Sequence, residues 1–226
     1  MYNNFNPKMS VNTSDQYFLN IKQNQIKMVK ARGYDVSEEE WILKENLSAK
    51  EFRKKLLKKY ENNNYPYDYS IRKLMYSEYQ KTNSKPLFVY YVGLQGGKQI
   101  KIDSVRPFIS KMTEEDKNGI LVIDSILSPE ASKCLNYVTE SKYQIFKEEE
   151  LNFDLLSVNT VSEYFIIDSQ KLKNSLAVSS KTMTIMHSTD PVAKYYHFLS
   201  GQTVYTKVEN DVDTINDYTY ENYIVV

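Results

Sequence analysis

The sequence predicts an α/β domain followed by a smaller α+β domain. Three observations carry that reading. Apolar runs at 86–92, 120–123 and 143–146 are strand-like and are separated by helical patterns; strand–helix–strand connections pair strands in parallel and lay helices on the sheet. After Asn159 the pattern changes to short strand-like pieces around one sharply punctuated helix. A length of 226 residues leaves room for one large domain or two modest ones.

Residues 1–13 are Asn-rich and patternless, and a flexible leader is expected there. From 14 to 32, Phe18, Leu19, Ile21, Ile26, Met28 and Val29 cover about half of a helical wheel, and Gly33 ends the helix. A second helix at 48–60 gathers Ala49, Phe52, Leu56, Leu57 and Tyr60 on one side, with Lys54, Lys55, Lys58 and Lys59 opposite. Residues 62–66 read as a loop, and 69–80 as a further helix. The strand at 86–92 is broken by the glycines at 93–97. Val105, Phe108, Ile109 and Met112 then trace one helical stripe; Pro107 is compatible with it if it falls in the first turn, where no backbone donor is lost. The run 120–123 is a buried strand. A helix follows from Pro129, capped by Ser128, with Ala131, Leu135 and Val138 inward, and 143–146 is a short strand.

In the second part, 161–167 is apolar, 169–176 fits a short helix and 182–186 a strand. Asp190 can accept the first free N–H groups of a helix in which Pro191 takes the first position. Val192, Tyr195, Tyr196 and Leu199 share a side, and Gly201 supplies a left-handed stop. Strands at Thr203 and Tyr220 close the chain.

Composition removes several classes of function. Hydrophobic content of 41% and charge of 26% belong to a globular protein. Twenty tyrosines suit cores with wet edges and interfaces, or reflect an AT-rich coding sequence. Basic and acidic residues number 29 each, so no overall field draws the chain onto nucleic acid. The single cysteine, Cys134, allows neither an internal disulfide nor a cysteine-rich zinc site; lying beside Leu135, it is expected to be a buried structural thiol. No stretch approaches a membrane span, residues 1–10 lack the apolar core of a signal peptide, and an intracellular protein is expected.

The residues give little catalytic signal. His187 precedes a helix cap and His197 lies in the helix opposite Val192; both read as surface, with no third group to orient a base. Gly93, Gly96 and Gly97 carry no phosphate-loop pattern. Asp124 followed by Glu140-Ser141-Lys142 has the composition of a Mg²⁺-dependent nuclease centre, in which two carboxylates hold the ion and a lysine orients water. Against it, a helix separates the two pieces, and Glu140 precedes the next strand where that chemistry needs it on the strand. No catalytic residue, metal or cofactor is assigned. For nucleic acid, the densest basic patch is the lysine face at 54–59, whose simpler reading is a solvated helix face.

Three separated segments carry a resemblance. The first is Asp190-Pro191-Val192-Ala193-Lys194-Tyr195-Tyr196, with Gly201-Gln202-Thr203-Val204 after it and a terminal strand from Tyr220 to Val225. The second runs Met28-Val29-Lys30-Ala31-Arg32-Gly33-Tyr34, then Val36-Ser37-Glu38-Glu39. The third is Gly119-Ile120-Leu121-Val122 followed by Leu127-Ser128-Pro129-Glu130-Ala131. In order and spacing they resemble the small fifth subunit shared by eukaryotic RNA polymerases, a family with archaeal members. That family carries D-P-V-A-K/R-Y before G-Q/E/D-V-V/L, a helix ending R-G-Y before an S/T-x-E-E turn, and a G-I-F/L-V strand before S/T-P-x-A.

The resemblance implies an N-terminal jaw domain at 14–158, with a three-layer, nuclease-like fold but no nuclease activity. It implies an assembly domain at 159–226 that docks onto the largest polymerase subunit alongside the other subunits. Carried onto this chain, docking falls on Asp190, Pro191, Val192, Lys194, Tyr195, Gly201 and Val204. Asp190, Pro191 and Gly201 would shape the element and the others touch the partner. Ser128, Pro129 and Lys133 form the corner that approaches downstream duplex DNA, where free N–H groups and a small Ser-Pro turn permit a phosphate contact. Binding by the isolated chain is expected near the nonspecific limit of ~10⁻⁴–10⁻⁶ M. Archaeal members lack the jaw, so two domains imply a eukaryotic enzyme or that of a large DNA virus, acting in the nucleus and, for a virus, in viral factories or virions. Two departures stand out. Residues 164–186 lack the family's L-V-P-x-H and L-P-R/K-I/L words, and 209–217 enlarge the last hairpin with acidic residues. Two other readings remain open: a Mg²⁺-dependent nuclease acting on DNA, and an adaptor that uses the same fold without DNA.

Overall fold

A computed structural model describes residues 11–61, 71–93, 98–138, 142–158, 161–167, 183–209 and 218–226. The chain divides into two compact units, Met1–Phe153 and Asp154–Val226.

The first unit is built on a four-stranded sheet of order β1-β2-β3-β4, with β1 Ser77–Tyr79, β2 Leu87–Val92, β3 Asn118–Ile123 and β4 Tyr143–Lys147. The last three strands are parallel, as the strand–helix–strand order predicts, and β1 joins β2 antiparallel. Helices cover both faces. Phe88, Val92, Leu121 and Ile123 meet Val105, Phe108 and Met112 of α4 (Ile102–Glu114) and Ala131 and Leu135 of α5 (Pro129–Leu135). On the opposite face, the Tyr91 hydroxyl donates to Gln25 Oε1 of α1 (Val11–Ala31) at 3.3 Å. Because both faces are buried, β2 and β3 read as continuous apolar runs rather than alternating ones. Gly119 opens β3 under the Phe108 ring, where a Cβ would come within 2.7 Å of it.

α1 begins at Val11, so residues 11–13, expected to belong to a flexible leader, are helical; Asn12 and Thr13 are poor but permitted helix formers. Gly33, at φ 81°, closes it, as the sequence predicts. A 3-10 helix, Ser37–Leu43, leads to α2 (Ala49–Glu61), where Ser48 and Glu51 cap reciprocally. Phe52 and Leu56 are buried, whereas Leu57 is 44% exposed.

The helix expected at 69–80 is wrong in its second half. Only α3, Ile71–Leu74, is helical among its described residues, and the chain then extends into β1. There Ser77 and Tyr79 turn inward and Glu78 outward, a period of two imposed by pairing with β2. Pro107 also sits deeper than expected, inside α4 rather than in its first turn. Cys134 is half-buried. After β4 come α6 (Glu148–Asn152) and, in the second unit, α7 (Leu155–Val158).

The second unit holds a sheet of order β5-β7-β8-β6: β5 Val161–Ile167, β6 Thr184–Met186, β7 Thr203–Glu209 and β8 Tyr218–Val225. Its neighbours are antiparallel except β6 with β8. α8 (Pro191–Tyr196) packs on one face, where Ala193 and Phe198 meet Met186, Val204 and Val225. The loop at 62–66, Gly96 and Gly97, Glu140 and Ser141, the helix at 169–176 and residues 210–217 lie outside the described residues.

At the centre of the first unit Lys22 has no solvent exposure. Its ammonium lies 3.0 Å from Glu39 Oε2 and donates to Gln25 Oε1 (2.9 Å), the Met75 carbonyl (3.1 Å) and Ser77 Oγ (2.6 Å). Ser77 and Tyr79 hydroxyls donate to Glu39. Burial raises the Glu39 carboxyl, but the Lys22 charge and the hydroxyl donors outweigh it and hold it below its usual range. Complete burial pushes the Lys22 ammonium down against the pull of Glu39.

Replacing Lys22 by Met strands a buried carboxylate and is expected to cost about 3–5 kcal/mol in urea unfolding; adding Glu39→Leu recovers much of it. A depressed carboxyl contributes stability above its unfolded pKa and loses it as pH falls through the folded value. The double variant is therefore expected to lose less stability than the native chain below pH 4.5, the ordinary glutamate value.

Candidate functional site

β3 and β4 are parallel with Ile123 opposite Lys147, so the residues that follow them, Asp124 and Glu148, emerge side by side at the carboxyl edge of the sheet. That edge is where open α/β sheets hold ligands. Here it forms a cleft of about 630 Å³, walled by Tyr17 and Phe18 of α1 and by Ile123 and Ile126. A guanidinium from α3 fills the space between the carboxylates. Arg72 Nε and Nη2 donate to Glu148 at 2.5 and 2.9 Å, and Nη2 lies 3.2 Å from Asp124. The Phe18 ring lies 4.9 Å from the guanidinium carbon. Burial works against the Arg72 charge, but Glu148 and Asp124 outweigh it and push its pKa up. Tyr17, at the rim, is raised by burial and by the field of Glu148, Glu149 and Asp124. Gly93 makes this approach possible, because a Cβ there would stand 2.8 Å from Arg72 Cδ and 2.9 Å from Asp124 Oδ2.

The two described members of the nuclease constellation read from the sequence, Asp124 and Lys142, do not come together. Lys142 precedes β4 and pairs with Asp116, 3.1 Å away, whereas Asp124 follows β3. Lys142 stands level with Asn118, six residues from Asp124, so the two lie at opposite ends of parallel strands, roughly 20 Å apart at 3.3 Å per residue. Among the described residues no three His, Cys, Asp or Glu side chains converge as a metal set. Sequence reasoning finds Asp124 and misses its partners. Glu148 carries a usable signal, an acid directly after a parallel strand. Arg72, in a four-residue helix far upstream, carries none.

The predicted corner is built as its residues imply. Ser128 Oγ accepts from the Ala131 N–H at 3.2 Å, Pro129 takes the first position of α5, and Pro129 and Lys133 are exposed. A parallel bridge sets Ile100 beside Leu127: Ile100 N donates to the Ile126 carbonyl and Ser128 N to the Ile100 carbonyl, both at 2.9 Å. Nothing in the local pattern of residues 98–101 signals that this segment flanks the corner.

In the second unit Asp190 Oδ1 accepts from Val192 N at 2.8 Å, and Pro191 stands exposed in the first position of α8. The helix stops earlier than expected. His197, not Gly201, is its left-handed cap, at φ 58°, and is no longer within the helix. This early stop lets Phe198 N reach the Ala193 carbonyl at 2.8 Å and drops the Phe198 ring into the core, leaving Leu199 39% exposed. Gly201, at φ 86°, belongs to the turn into β7, where its N–H donates to the Val225 carbonyl at 2.9 Å. Tyr195 and Val204, expected to touch a partner, are 7% and 0% exposed and belong to the unit's own core. Val192 and Lys194 are half-buried.

No protein-family model matches the chain. It is similar to DNA-directed RNA polymerase subunit 5-like protein 1 of Arabidopsis thaliana, with 23% identity over 206 residues, covering 88% of this chain and 92% of the relative. Neither unit alone could hold so long a match. The likeness supports a relationship to the RNA polymerase subunit 5 family.

The Arg72 cradle makes a quantitative expectation. Gly93→Ala should destabilise the chain by about 1–3 kcal/mol through overpacking. In an Arg72→Ala background most of that penalty should vanish, a coupling that a double-mutant cycle in urea measures directly. An equal cost in both backgrounds would place the clash elsewhere.

Proposed function

We propose that the chain is a non-catalytic subunit of a multisubunit DNA-directed RNA polymerase. In this reading the second unit is the assembly domain that docks on the largest subunit, and the first is a jaw that steadies downstream duplex DNA. The carrying observation is that each family-like segment falls on a joint of the fold: Gly33 closing α1, Ser128 and Pro129 opening α5, Asp190 and Pro191 opening α8. The similarity to an RNA polymerase subunit 5-like protein along most of the chain supports the same reading.

With Tyr195 and Val204 in the core, docking narrows to the residues that α8 leaves accessible. Val192 and Lys194 would meet the partner, Pro191 would stand at the rim, and Asp190 would hold the helix start. Phosphodiester chemistry would belong to the large subunits. Arg72 supports that division, because its guanidinium pairs with both Asp124 and Glu148 at the carboxyl edge of the first sheet. A cellular enzyme of this kind works in the nucleus; a viral one would also occur in viral factories or virions.

A tagged chain recovered from its native source is expected to bring down the two large polymerase subunits, and recovery of neither would defeat the proposal. Val192→Glu with Lys194→Glu should cut that recovery by roughly tenfold or more, as a hot-spot change worth about 1.4 kcal/mol or above would. Purified protein with Mg²⁺ is expected to leave supercoiled plasmid intact; cleavage that disappears with Asp124→Ala would instead favour the nuclease reading.

A further inference from the structure

Many lysines on the surface of the first unit are answered by acids. Lys85 and Lys142 share Asp116, Lys111 and Lys117 share Glu78 and Glu115, and Lys30 meets Glu40. α2 is different. Lys50, Lys54 and Lys58 follow one another at four-residue steps along its outer ridge, exposed and with no ion pair among the described residues. Each such like-charged step weakens a helix, where an acid in the same place would support it. Glu51 is taken up by the Ser48 cap, and Arg53 already pairs with Asp15. Lys55, on the flank, lies over the Trp41 ring, 4.8 Å from its centre. Leu57 stands on the same ridge, three residues from Lys54 and next to Lys58, and is 44% exposed while Phe52 and Leu56 serve the core.

We propose that this ridge of α2 is a docking surface for an acidic, amphipathic segment of a partner protein, with Leu57 as the apolar anchor and Lys50, Lys54 and Lys58 as its charged rim. The inference goes beyond the polymerase reading, which assigns α2 no contact. Charge and spacing both fit. Four-residue steps set the lysines about 6 Å apart along the helix, and carboxylates four residues apart on a partner helix stand at the same pitch. Protein interfaces place an apolar centre inside a polar rim, and the ridge has that order. The leucine also decides against nucleic acid. A phosphate backbone would meet the lysines equally well, but it would press a hydrated, charged surface against Leu57 and gain nothing from it. A single strand stacks its bases on aromatic rings, and among the described residues none stands on the ridge. Lysines whose repulsion weakens their own helix are a feature that binding retains at a cost to stability.

The full chain would be titrated into a fluorescent helical peptide of about 16 residues, with glutamates at four-residue steps flanking a stripe of leucines, at about 50 mM salt. One control peptide carries glutamine for each glutamate, and a second carries alanine for each leucine. Binding of the acidic peptide is expected to weaken by about tenfold or more when Lys50→Gln, Lys54→Gln and Lys58→Gln are combined. Leu57→Ala alone should weaken it about fivefold, the worth of burying the exposed part of one leucine side chain. Lys98→Gln with Lys101→Gln, exposed on another segment, should leave it unchanged. No measurable binding, equal binding of either control peptide, or an unchanged affinity in the triple lysine variant overturns the proposal. A duplex of about 25 base pairs that binds more tightly than the peptide, through the same lysines and without need of Leu57, would also overturn it and reassign the ridge to nucleic acid. The lysine variants should unfold at the native temperature or above, because each charge removed relieves repulsion. A triple variant that unfolds earlier would show the lysines serving the fold, and that too overturns the proposal. Recovery of the large polymerase subunits decides the earlier reading whatever the peptide does.

Discussion

An ammonium group cut off from water must be answered inside the protein, and Lys22 imposes that demand on the whole first unit. Its partners come from α1, from the 3-10 helix and from the join between α3 and β1. Meeting them fixes the face that β1 turns inward. A slip of one residue would send Ser77 and Tyr79 to solvent and strip Lys22 and Glu39 of their hydroxyl partners. The register also sets the outer surface, because it turns Glu78 toward Lys111 and Lys117. There burial opposes, but the two lysines and the Tyr76 hydroxyl bring the Glu78 carboxyl down to about 2. An apolar pair of equal volume could match Lys22 and Glu39 in stability. It would not tie a three-residue edge strand to one register.

Where the chain punctuates itself, the fold is legible. Gly33, the Ser128-Pro129 pair and the Asp190-Pro191 pair each mark a helix end, because caps are local chemistry. The parallel core is legible too, since strands buried on both faces read as unbroken apolar runs. What fails depends on distant partners. β1 exists because β2 offers it an edge, and its residues by themselves read as more helix. α8 ends at His197 because Phe198 belongs in the core, a requirement of the second sheet that outweighs the glycine four residues on. Lys22 carries a local signal of its own. It stands four residues from both Phe18 and Ile26 on α1, a lysine within the apolar stripe.

The candidate site divides along the same line. Two acids directly after parallel strands are a pattern that sequence can show; the guanidinium between them is not, because Arg72 and Gly93 reach it from separate segments. That cradle changes the meaning of the carboxyl edge. Glu148 is 2% exposed, and its burial is offset by the Arg72 guanidinium paired with it. Arg72 supplies the charge in a planar fork that matches a carboxylate, with no position left for exchange. An edge closed in this way is part of the scaffold, and what the unit presents outward is its surface.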